Sequence, residues 1–167
     1  MDDIAAELRE DNREVTLWLV YYPERKKATD LMREEIIERT PAQSGDRVSS
    51  STISDPAYQR AEELVRKTAA AQSWLETIDM VRRMIGTKKL LLLELRQREA
   101  QQPITCNRRG KPGWIIWVQR HWAEEYSKAT GIPDDCCWLS DSMIRKYWAD
   151  IVTLTARLAA KRGLLNK

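Results

Sequence analysis

Apolar residues recur at intervals of three and four along most of the chain and period-two alternation is absent, which predicts helices throughout. A first helix over about 4–22 places Leu8, Val15, Trp18 and Tyr22 on one face. Pro23 then either kinks it or opens a second helix as a first-turn residue. That second segment, 24–39, is charge-dense, with Leu31 and the Ile36-Ile37 pair as its apolar content. Residues 40–56 are rich in Ser, Thr, Pro, Gly and Asp, show no apolar period, and are expected to form a flexible linker. Asp55 as N-cap and Pro56 at the first position then predict a long helix. Its stripe is Ala61, Leu64/Val65, Thr68, Ala71, Leu75, Ile78, Val81 and Ile85, and Gly86 ends it. Thr87 is expected to cap the following helix, 88–102, which Pro103 stops.

The last third follows the same rules. A basic loop, PITCNRRGKPG at 103–113, precedes a helix over 114–130 with Ile115, Val118, Trp122, Tyr126 and Ala129 on one face. Gly131 closes it, 132–139 connects, and Ser140 opens a final helix that runs to Arg162 before Gly163. On a helical wheel Ile144, Tyr147, Trp148, Ile151, Leu154 and Leu158 share one arc. Opposite them Ser142, Arg145, Lys146, Ala149 and Thr153 make a small, basic face without a carboxylate. Such a face can lie in a DNA groove, with Arg and Lys reaching bases or phosphates. The same pattern also describes a plain helical hairpin with a solvated basic side.

Composition narrows the field. The 167 residues suit one domain or two small ones, and 43% hydrophobic content is enough for a core. Net charge is only +3, yet it is unevenly spread: residues 1–40 carry −4 and residues 103–167 carry +5, so a polyanion would meet the C-terminal third. The longest strongly apolar run, Leu90 to Leu93, predicts no membrane span, and the acidic start predicts no signal peptide. A cytoplasmic protein with reduced thiols is expected, since three cysteines do not make a disulfide framework. Adjacent Cys136 and Cys137, with Cys106 and His121, are poorly spaced for zinc, so no metal or cofactor is expected. There is no Gly-rich phosphate loop, nucleophile motif or converging carboxylate pair, and the expectation is that the chain is not an enzyme. Of seven Trp, five lie between 114 and 148; Trp122 and Trp148 fall on core stripes, whereas Trp117 and Trp138 are freer.

The stretch Leu139-Ser140-Asp141-Ser142-Met143-Ile144-Arg145-Lys146 resembles the hydrophobic-S-x-S-T-hydrophobic-x-basic opening of recognition helices in the RinA/ArpU-type phage late-transcription regulators. The ending, Leu154 to Leu164 (LTARLAAKRGL), is similar to that family's terminus, and Leu17 to Pro23 with Arg33-Glu34-Glu35-Ile36 is similar to its N-terminal helix. Asp141, Met143 and the long connection depart from the family pattern. The resemblance implies an all-α fold: N-terminal helices (1–39), a linker (40–56), central helices (57–102) and a C-terminal helix-turn-helix module (103–167) like region four of sigma factors. It implies a double-stranded DNA-binding regulator of phage late genes acting with host RNA polymerase, and allows a homo-oligomer. Arg108, Arg109 and Lys111 would then contact phosphate, and Ser140, Ser142, Met143, Arg145 and Lys146 would face the groove. Two other readings remain: a small terminase subunit, whose helix-turn-helix is N-terminal, and a helical scaffold without nucleic acid.

Overall fold

The computed structural model describes residues 2–39, 56–102 and 113–165, and among them the chain is all-α. Six helices follow in order: α1 (Asp2–Val20), α2 (Tyr22–Arg39), α3 (Pro56–Met84), α4 (Thr87–Ala100), α5 (Gly113–Thr130) and α6 (Asp141–Lys161). A single 3₁₀ turn, Asp134–Cys136, lies between α5 and α6. The expected linker falls almost wholly outside the described residues, apart from Pro56, the first residue of α3. The basic loop does too, apart from Gly113, which opens α5.

The break between α1 and α2 has a simple cause. Pro23 has no N–H to give the carbonyl of Leu19, four residues back, so the helix cannot run through. Gln97 of α4 fills the gap: its Nε2 donates to the Leu19 carbonyl at 2.8 Å, buried in the core. One residue of α2 beyond the break, Tyr22, gives its hydroxyl to Asp79 of α3 at 2.5 Å. At the next joint Gly86, rather than Thr87, occupies the N-cap of α4 in extended conformation and provides no side-chain cap. Thr87 is already helical.

α4 sits at the centre. Leu91, Leu92, Leu93 and Leu95 are all buried, because α1, α5 and α6 cover it from different sides. Three consecutive leucines, Leu91 to Leu93, can all be buried only where a helix is enclosed on most of its circumference. α6 in turn packs on α1, α3 and α4, and Arg162 at its end ties it to α3 through Thr77 Oγ1 at 3.1 Å and Glu76 at 2.8 Å. One apolar cluster therefore joins Val15 and Leu19, Ile78 and Val81, the α4 leucines, Ile115 and Val118, and Ile144 and Ile151. Burying each such side chain contributes about 1.5–3 kcal/mol.

Two apolar positions expected to face a core, Leu8 and Val65, are instead exposed, as are Leu31 and Ile37 from the apolar content of α2. Leu8 lies on the stretch of α1 over 5–10, which is exposed throughout. Leu31 and Ile37 face solvent because α2 packs on α3 through its other side, which buries Tyr22 and Thr29. Val65 is exposed near the outer end of α3 for the same reason, while Leu75, Ile78 and Val81 further along the stripe are buried.

Candidate nucleic-acid interface

Gly131 ends α5 at φ +76°, a conformation that side chains resist. The chain then turns through Pro133 and the short 3₁₀ turn. Cys137 pins that turn from inside: its N–H donates to the Asp134 carbonyl at 3.0 Å and its thiol to the Pro133 carbonyl at 3.2 Å. Burial pushes the Cys137 thiol up, and Asp134 and Asp135 add to the shift. Cys136, its neighbour, is exposed. Adjacent side chains on this turn diverge, as they must when one is anchored inward.

α6 begins as expected. Ser140 is its N-cap at φ −75°, ψ 156°, and its Oγ accepts from the Met143 N–H at 3.3 Å. The Ser142 hydroxyl lies 3.0 Å from the same oxygen. Asp141 stands in the first turn, where a negative charge complements the helix dipole. Gln119 of α5 donates to its Oδ1 at 2.5 Å and to the Leu139 carbonyl at 3.4 Å. Asp141 thus joins the start of α6 to α5.

Along α6, Ile144, Ile151, Val152, Thr155 and Ala159 are buried. Tyr147, Trp148, Leu154 and Leu158 of the expected stripe are half-buried and pack at its margin, Trp148 with its ring 5.9 Å from that of Trp114. Val152, Thr155 and Ala159 lie inside because a third helix covers the flank that a hairpin alone would leave wet. On the opposite side Ser142, Arg145, Lys146, Ala149 and Thr153 are all exposed. Arg145 and Lys146 form no ion pair among the described residues. Asp150, four residues after Lys146, is engaged by Lys89 at 2.8 Å, and this hydrogen-bonded ammonium holds it below the usual carboxylate range.

Of the eight residues expected at the interface, the structure describes five. Ser142, Arg145 and Lys146 share the exposed face; Ser140 is occupied with capping, and Met143 packs against the core. Arg108, Arg109 and Lys111 lie outside the described residues. Arg157 was not singled out from the sequence, though it is exposed on the line of Lys146. Eleven residues make just over three whole turns, and that spacing was the available signal.

Trp117 stacks on His121 with ring centroids 3.9 Å apart, and the His121 Nδ1 lies 2.8 Å from the Trp117 carbonyl. Trp138 is 79% exposed. No helix of the described residues is long and apolar enough to cross a membrane. Comparison of the chain with protein-family models, with curated proteins and with solved structures finds no match in any of the three.

Proposed function

We propose that this chain is a double-stranded DNA-binding transcriptional regulator, of the phage late-gene kind that its sequence resembles, working with host RNA polymerase. The observation that carries the reading is the outer face of α6: Ser142, Arg145, Lys146, Ala149 and Thr153 exposed together, with the nearby Asp150 already paired to Lys89. Small residues let a helix approach a groove closely, and two unpaired cations near its N-terminus can reach base edges and phosphates. In this role α6 contributes contacts rather than chemistry, and the protein is not an enzyme. Arg157, a few turns on, would meet the backbone rather than bases.

The test begins with duplexes selected by the full chain from a random pool. Arg145→Ala should lose about 1–3 kcal/mol on the selected duplex and lower its preference over random duplex. Arg157→Ala should weaken both alike, because phosphates carry no sequence information. Affinity should fall with salt by a log–log slope of about 0.9 for each phosphate contacted. A flat salt response, or an Arg145→Ala variant with its site-to-random ratio intact, would favour the scaffold reading.

A further inference from the structure

The turn between α5 and α6 exposes more apolar surface than a solvated connection requires. Trp138 is 79% and Ile132 41% exposed, flanked by the exposed Asp134 and Asp135. Neither aspartate forms an ion pair among the described residues. Nor is the projection loose. Buried Cys137 and Leu139 stand on either side of Trp138 in the chain, and the Cys136 N–H closes the turn on the Pro133 carbonyl at 3.0 Å. An anchored Trp loses little further freedom on docking, which favours affinity.

The same molecule carries a depression of complementary character. It measures about 420 Å³, is lined by Met84, Ile85, Tyr147 and Leu154, and is edged by Lys88 and Lys89. The volume is ample for an indole ring. Its charges are opposite to those beside Trp138.

We propose that the Trp138 projection docks into the Lys88-edged depression of a second copy of this chain, and reciprocally, forming a two-fold dimer. Two-fold contacts require a self-complementary patch, projection and recess side by side on one surface. Lys88 links them: it lines the recess, its ammonium stands 5.5 Å from the Tyr126 ring near the end of α5, and its charge is felt at Cys137 in the turn. Lys89 is already shared with Asp150, so Lys88 is the cation left for the partner's aspartates. The recess meets α6 along the flank of Tyr147 and Leu154; Leu154 is nine residues from Arg145, half a circle round the helix, and about 80° from Lys146. The dimer therefore leaves Arg145 open on both copies, and it does not depend on DNA binding.

Sedimentation velocity on the full chain at physiological salt should show a concentration-dependent monomer–dimer equilibrium. Trp138→Ala should weaken it by about 30-fold, as removal of a central interface Trp does. Trp138 is on the surface, so the melting profile of the variant should match that of the parent. Asp134→Lys with Asp135→Lys should also disperse the dimer, and adding Lys88→Glu should restore it, because the reversed charges again face each other across the axis. A chain monomeric up to about 200 µM, well above the range of specific interfaces, overturns the proposal. So does a dimer indifferent to Trp138→Ala, which would place association elsewhere, for instance on the exposed Leu31 and Ile37 of α2. Failure of the charge swap to restore association overturns it as well.

Discussion

At the scale of single residues, the pairing of Pro23 with Gln97 shows how a local defect is repaired by a distant side chain. Proline removes one donor from the helix, and the orphaned Leu19 carbonyl is buried, where an unpaired acceptor is costly. Gln97, 78 positions away in sequence, supplies the missing N–H from within a leucine-rich helix. Gln97→Leu should therefore destabilise the chain by about 1–3 kcal/mol. The effect should shrink markedly in a Pro23→Ala background, where the backbone itself can donate to Leu19. Urea denaturation of the four proteins in this cycle measures the coupling, and strictly additive losses would show that Gln97 acts through packing alone. Nothing in the sequence near Gln97 announced this role. The signal was at Pro23, which states that a carbonyl is left without a partner but not which residue will satisfy it.

At the scale of elements, what could be read early were the ends. Ser140 caps α6, and Gly131 and Gly163 terminate α5 and α6 at φ +76° and +69°, because capping depends on residues within a turn of each other. Gly131→Ala should cost about 1–2 kcal/mol from the left-handed conformation alone. A Cβ there would meet nothing within 4 Å, so no steric loss adds to it. Thermal melts with unchanged helical signal before the transition would confirm that only the terminator has been strained; a variant as stable as the parent would show that the turn rearranges freely. What could not be read was which arc of each helix a distant neighbour would cover. Leu31 and Ile37 belong to the apolar content of α2, yet α2 meets α3 through its other side. Thr155 and Ala159 look neutral, yet both are enclosed because α6 lies against α1, α3 and α4 as well as α5. The basic face of α6 was legible for the converse reason: charged side chains rarely become buried without a partner, so a run of them marks solvent whatever the packing turns out to be.

At the scale of the whole molecule, the position of α6 bears on how the chain folds. Ile151, Val152, Thr155 and Ala159 are buried in a helix that packs on α1, α3 and α4, and the Arg162 guanidinium adds a bond to Glu76 across 86 positions. The basic face proposed to meet a nucleic acid is thus held in place by α1, α3 and α4, not by α5 alone. A segment comprising 103–167 would keep its helix signals but lose the surfaces that cover these four side chains, and amphipathic helices without a partner are marginal in water. The full chain should accordingly unfold in one step, with the far-ultraviolet helix signal and the near-ultraviolet tryptophan signal melting together. Residues 103–167 alone should show a broad, weakly cooperative melt and dispersed tryptophan environments lost, even where part of the helix content survives. If the fragment instead melts sharply and the full chain shows two transitions, the C-terminal helices are an independent module, and the packing of α6 on α1 and α3 is a docking contact between two units rather than a shared core.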